Sequence, residues 1–237
     1  MRELIVTFSI LFGIFILFSA QANIDSIEIL YYGHSMFLIK NDEVSIVTDP
    51  FNPSIGYKFP ELKADIVTVS HEHFDHNYTS GIKGDPVIVR SNTKARGVSF
   101  SIIPSYHDEV KGKLRGENRI VRWTLNGVSF AHLGDFGEKD LSDNQYCALK
   151  GVNVIFIPAG GFYTIDAETA YRIIQKIKPN YAILMHYRTQ ASTIKELAPL
   201  GDIMKVIPGI EIVPSKLEIS KKNLPKTTNI VAMDYIK

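Results

Sequence analysis

His71-Glu72-His73-Phe74-Asp75-His76, placed directly after the apolar run Ile66-Val67-Thr68-Val69, holds three of the chain's seven histidines together with an aspartate. Imidazole nitrogens and carboxylate oxygens are the ligand set of zinc and related divalent ions, and packing gives no reason to gather four such groups in one loop. In an extended segment, side chains two positions apart face the same way, so His71 and His73 can hold one ion together. Asp75 and His76 are neighbours and cannot share that face, which directs them to a second ion.

Working outward, the same arrangement of an apolar run followed by a ligating residue recurs. Val98-Ser99-Phe100-Ser101-Ile102-Ile103 leads through Pro104-Ser105-Tyr106 to His107, Val128-Ser129-Phe130-Ala131-His132 leads to Gly134-Asp135, and Tyr181-Ala182-Ile183-Leu184-Met185 leads to His186. If these strands end at one rim, their loops converge, as ligands usually do at the carboxyl ends of strands in open α/β sheets. A catalytic ion takes about three protein ligands and keeps a position open for water. His107 then completes the set of His71 and His73, His186 completes that of Asp75 and His76, and Asp135 bridges the two. The expected cofactor is a pair of divalent metal ions, zinc first, with manganese and iron also compatible with these ligands.

Upstream, Ile27-Glu28-Ile29-Leu30-Tyr31, Met36-Phe37-Leu38-Ile39 and Val44-Ser45-Ile46-Val47-Thr48 read as strands, the last two joined by the polar turn Lys40-Asn41-Asp42-Glu43. Further strands are expected at Val87-Ile88-Val89, at Ile120-Val121-Arg122-Trp123-Thr124-Leu125, which is tied to Val128 by the hairpin signal Asn126-Gly127, at Val154-Ile155-Phe156-Ile157, and in the tail at 211–219 and 229–235. Ala170, Ile173, Ile174 and Ile177 have the spacing of an amphipathic helix over 167–178, with Thr164 or Asp166 as cap and Pro179 as stop. A shorter helix is expected over 193–200. No repeat or linker divides the chain.

Residues 1–22 read as a targeting segment: Arg2 provides the basic start, residues 4–18 carry no charge, and Ala20-Gln21-Ala22 has the pattern of a cleavage site. The expectation is a secretory signal peptide at 1–22 and a single domain at 23–237, exported to the periplasm or secreted, with no membrane attachment after cleavage; the alternative is an uncleaved membrane anchor, although the apolar run falls short of the ~20 residues needed to span a bilayer. With 26 basic residues against 25 acidic ones, there is no electrostatic case for a nucleic-acid partner, and a small-molecule substrate is expected. The single cysteine, Cys147, has no internal disulfide partner.

The chain resembles the metallo-β-lactamase fold superfamily, in the branch of metal-dependent hydrolases similar to L-ascorbate-6-phosphate lactonase. The matching residues are Gly33-His34-Ser35 with Phe37, Thr48-Asp49-Pro50, Ser70 to His76, His107, His132-Leu133-Gly134-Asp135, Tyr163-Thr164-Ile165-Asp166-Ala167 and Met185-His186-Tyr187. The resemblance implies an α+β fold, a four-layer αββα sandwich of two pseudo-equivalent halves, with the ligand roles just argued. A bridging carboxylate at Asp135 is the pattern of lactonases, thioesterases and phosphodiesterases of this superfamily, whereas its true β-lactamases lack it. Flavodiiron oxidoreductases usually carry an acidic residue where His73 stands.

The expected chemistry is hydrolysis of an ester, lactone or phosphodiester by a metal-bridging hydroxide, oriented by Asp75, with Tyr163 or His34 supporting the leaving oxygen. His34 fits an outer hydrogen-bonding role equally well, Asp49 is expected in such a role, and His132 reads as structural. Arg115, in the basic loop Lys111-Gly112-Lys113-Leu114-Arg115-Gly116, reads as part of a solvated loop ahead of an anion contact. The alternative to an enzyme is an exported metal- or ligand-binding protein that keeps the fold without turnover.

Overall fold

The computed structural model describes residues 25–237, so the leader expected at 1–22 lies outside the described residues. Fourteen strands are present: β1 (Ile27–Gly33), β2 (Met36–Lys40), β3 (Ser45–Thr48), β4 (Ile66–Thr68), β5 (Val87–Val89), β6 (Thr93–Ala95), β7 (Val98–Tyr106), β8 (Glu117–Leu125), β9 (Val128–His132), β10 (Val154–Pro158), β11 (Tyr181–Met185), β12 (Glu211–Val213), β13 (Lys216–Ile219) and β14 (Asn229–Met233). Among the described residues, three α-helices accompany them: α1 (Asp143–Leu149), α2 (Ala167–Ile177) and α3 (Leu200–Val206). The strands form a six-stranded sheet in the order β13-β1-β2-β3-β4-β5 and an eight-stranded sheet in the order β12-β14-β11-β10-β9-β8-β7-β6.

The two sheets pack face to face. Ile29, Tyr31, Phe37, Ile46 and Ile66 from the first meet Phe100, Trp123, Phe130, Phe156 and Ile183 from the second in one buried cluster. Its middle is aromatic: Trp123 stacks on Phe130 with centroids 5.3 Å apart, and Phe37 of the first sheet touches Phe156 of the second at 4.5 Å. Alternation along β10 explains its unbroken apolar run. Val154 and Phe156 face this inner layer, while Ile155 and Ile157 face an outer one made with Leu149, Ile173, Ile174 and Ile203 of the helices. The outer face of the six-stranded sheet is covered by Phe51, Ile55, Tyr57 and Ile82, carried by loops and two short 3₁₀ turns. Among the described residues, that layer holds no α-helix.

The helix over 167–178 forms as α2, capped by the Asp166 side chain, which accepts from Thr169 N–H. The helix expected over 193–200 does not form. Pro199 restricts the residue before it to extended backbone, Ala198 donates to Gly160 and accepts from Arg188 N–H, and α3 begins only after the proline. The tail strand expected at 211–219 is split at Pro214: β12 joins the eight-stranded sheet beside β14, and β13 crosses to the six-stranded sheet beside β1. The unforeseen α1 has a capping box, Ser142 with Gln145.

The direction of the strands positions the site. β7 and β9 each pair antiparallel with β8, and β10 runs parallel to both β9 and β11. The carboxyl ends of β7, β9 and β11 therefore point the same way, delivering His107, Asp135 and His186 to one rim that the loop after β4 meets from the other sheet.

Candidate metal centre

At that rim, all seven residues expected as ligands come together. Donor atoms of His71, His73 and His107 lie within 4.8 Å of one another, and so do those of His34, Asp75, His76 and His186. Asp135 stands between the groups: Oδ2 is 3.0 Å from His107 Nε2, 3.2 Å from His186 Nε2 and 3.9 Å from His71 Nε2, while Oδ1 is 3.1 Å from His76 Nε2. Donors held about 2.1 Å from a tetrahedral ion stand about 3.4 Å apart, which these separations bracket. His71 Nε2, His76 Nε2 and Asp135 Oδ1 are buried with no hydrogen-bond partner, as ligand atoms facing a cation would be. The residues present fit divalent metal ions.

Outer partners fix the orientation. Ser70 Oγ lies 2.9 Å from His71 Nδ1, and Asp49 Oδ2 lies 2.9 Å from His76 Nδ1, leaving each Nε2 to face inward. Asp49 also accepts from Ser70 N–H and Ser70 Oγ–H, at 2.8 and 2.5 Å, and its donor atoms lie within 4.8 Å of those of His71 and His76. His132 is structural: its Nδ1 accepts from Gly134 N–H, so Nε2 carries the proton and donates to Ser35 C=O at 3.0 Å. Asn118 carried no signal in the sequence. Its Oδ1 accepts from Asp135 N–H at 3.1 Å and its amide donates to Leu133 C=O at 2.8 Å, pinning the turn that carries Asp135. Asparagine is an ordinary strand residue, and only the fold brings β8 against that turn.

His34 is fully buried at positive φ, with Nε2 3.2 Å from Asp75 Oδ2 and its ring 4.2 Å from that of His186. It is not among the residues that line the cavity, and its Nε2 faces Asp75. Tyr163 is on the wall, and its hydroxyl makes no hydrogen bond among the described residues. The cavity, of about 640 Å³, has His73, Asp75, His107, Asp135 and His186 in its lining.

The electrostatics agree with this geometry. Burial, reinforced by His186, pushes His34 down to about 4, and burial with His76 pushes His71 down to about 3, so both imidazoles are neutral. Burial would raise Asp75 and Asp135, but facing imidazoles outweigh it: His76 and His34 hold Asp75 below the usual carboxylate range, and His186 and His76 do so for Asp135. Burial would lower His76, yet Asp135 and Asp75 hold it well above the usual histidine value.

The beta-lactamase superfamily domain matches residues 28–186. The chain belongs to the metallo-β-lactamase superfamily. Among its members, it is 28% identical over 197 residues to a UPF0173 metal-dependent hydrolase of Thermococcus kodakarensis, covering 69% of this chain and 85% of that protein. A homologue of the same description from Thermoplasma acidophilum is 28% identical over 222 residues, covering 79% and 97%. A crystal structure from Thermotoga maritima, described as a candidate Zn-dependent hydrolase of the superfamily, superposes with a TM-score of 0.73 at 29% identity, covering 89% of this chain and all of that one. The superfamily's α+β sandwich is the fold expected from the sequence, with loops and 3₁₀ turns where the αββα reading places the second helical layer.

Proposed function

We propose that this chain is a metal-dependent hydrolase that uses two divalent ions, zinc first among them, to cleave an ester, lactone or phosphodiester bond in a small molecule. One observation carries this: two donor groups with a buried carboxylate between them, the buried His71 Nε2, His76 Nε2 and Asp135 Oδ1 without hydrogen-bond partners, beside a cavity lined by His73, Asp75, His107, Asp135 and His186. The names of the homologues support the reaction class. His71, His73 and His107 would hold one ion and Asp75, His76 and His186 the other, with Asp135 shared and His34 adjacent to the second group. Bound there, the ions would acidify a coordinated water toward neutral pH and polarise the oxygen of the bond under attack.

The remaining work falls to side chains. Asp75 is ionised and on the cavity wall, so it can orient the attacking water by accepting a hydrogen bond from it. His34, neutral with its proton on Nε2, donates to Asp75 and fixes that carboxylate. Tyr163 has a free hydroxyl on the same wall, suited to hydrogen-bond the departing oxygen. The leader at 1–22 supports export with cleavage after Ala22, which amino-terminal sequencing of the secreted protein checks.

The test uses zinc-loaded protein with p-nitrophenyl esters, a fluorogenic lactone and bis(p-nitrophenyl) phosphate, with and without chelator. Turnover should require the metal and fall about 10²- to 10⁴-fold in Asp75→Ala with the fold retained. Unchanged turnover in Asp75→Ala would refute the role of that carboxylate. A folded, metal-loaded protein inert to the whole panel would favour a binding protein.

A further inference from the structure

The loop between β7 and β8 supplies a charge that the chemistry above does not use. Asp108, buried directly after His107, accepts four backbone N–H bonds: Val110 and Gly112 donate to Oδ1 at 2.9 and 2.8 Å, and Leu114 and Arg115 to Oδ2 at 2.9 and 2.8 Å. The loop closes on itself through Gly116 N–H to Gly112 C=O, and onto the metal centre through His107 N–H to Gly116 C=O. A segment that reads as solvated is therefore fastened beside the site. Its Arg115 is half-buried on the cavity wall, with the guanidinium carbon 5.6 Å from the Tyr163 ring centroid.

Arg115 is the single lysine or arginine on that wall, and among the described residues its guanidinium has neither an ion pair nor a hydrogen bond. The carboxylate of Glu72, on the same wall, is already engaged by Arg90 at 3.2 Å, Asn77 at 2.7 Å and Arg119 at 3.4 Å. Asp75 and Asp135 face the donor groups. Five donors in a planar fork, set over the Tyr163 ring, match a carboxylate or phosphate. Beside them Leu114 and Phe74 are 74% and 61% exposed, an apolar surface adjoining the cation.

We propose that Arg115 reads an anionic group on the substrate, so that the hydrolysed molecule carries a carboxylate or phosphate next to an apolar portion. This rests on the hydrolase assignment above and narrows it to a substrate class. Binding tests it without requiring turnover. Benzoate, phenyl phosphate and benzyl alcohol are titrated calorimetrically into zinc-loaded wild type, Arg115→Gln and Arg115→Lys. The glutamine variant keeps the backbone N–H that Asp108 holds, and a melting temperature matching wild type verifies its fold.

The affinity ratio of either anion to the alcohol should fall about tenfold or more in Arg115→Gln, with partial recovery in Arg115→Lys, which keeps the charge and loses the fork. A ratio for both anions that Arg115→Gln leaves unmoved would overturn the proposal. Turnover of p-nitrophenyl butyrate and mono-p-nitrophenyl glutarate is read separately. Anion selectivity in a protein that cleaves none of these esters, nor the lactone or bis(p-nitrophenyl) phosphate, would sink the hydrolase assignment and leave the role of Arg115 standing. Hydrolysis with an unmoved ratio would do the reverse.

Discussion

Gly134→Ala tests whether the turn that presents Asp135 is built by packing. Gly134 is buried with φ of +55°, and a Cβ built there would overlap Asn118 Oδ1 and Ser70 Cβ and come within 2.7 Å of Ser70 Oγ. Neither neighbour is free to move: Asn118 holds the Asp135 N–H, and Ser70 bonds Asp49 and lies against His71 Nδ1. A left-handed backbone costs a residue with a Cβ about 1–2 kcal/mol, and overpacking of this kind adds about 1–3 kcal/mol. At about 2–4 °C per kcal/mol for a domain of this size, the melting temperature should fall by about 4–20 °C. Gly151→Ala is the control, because φ there is +77° but nothing lies within 4 Å of the added Cβ, leaving only the backbone term. Calorimetric melting, metal content and turnover are measured on both variants. Gly134→Ala should melt below Gly151→Ala and lose about 10²-fold in turnover, the consequence of moving the proposed ligand Asp135 by about 1 Å. Equal melting temperatures with full metal content and turnover in both would refute the idea that this contact positions Asp135.

Two further outcomes are expected. Metal-free protein should lose stability as pH falls from about 6.5 toward 4, because His34 and His71 have folded values of about 4 and about 3, and the unfolded chain binds their protons first, at up to about 1.4 kcal/mol per pH unit for each. His76, raised well above 6.5, acts only above that pH and with opposite sign, so denaturant titrations across pH should place the stability maximum near 6.5; stability flat from pH 6.5 to 4 would contradict this. Asp108→Ala should speed amide exchange at Val110, Gly112, Leu114 and Arg115 about 10- to 100-fold, the worth of hydrogen bonds to a charged acceptor, while barely moving the global melt; unchanged exchange would show that the carboxylate does not hold the loop.

The residues proposed as ligands could be picked out from the sequence alone because their signal is local. Residue type and spacing in His71 to His76 specify donor chemistry directly, and a ligand directly after an apolar run, as at His107, Asp135 and His186, marks a strand end. The Asn126-Gly127 hairpin and α2 were equally local, set by turn conformation and by apolar spacing with a cap. Tertiary structure decided everything that depends on two distant segments meeting. The split of the tail at Pro214, with β12 and β13 in different sheets, follows from which edge has unpaired backbone to offer. Asn118 acquires its purpose only when β8 lies against the Asp135 turn, His34 faces Asp75 only because β1 and β2 pack over the rim, and Arg115 reaches the cavity only through the grip of Asp108 on its loop. Side-chain chemistry is a property of one position, whereas burial and partnership belong to pairs of positions far apart in the chain, and no short window of sequence contains both members.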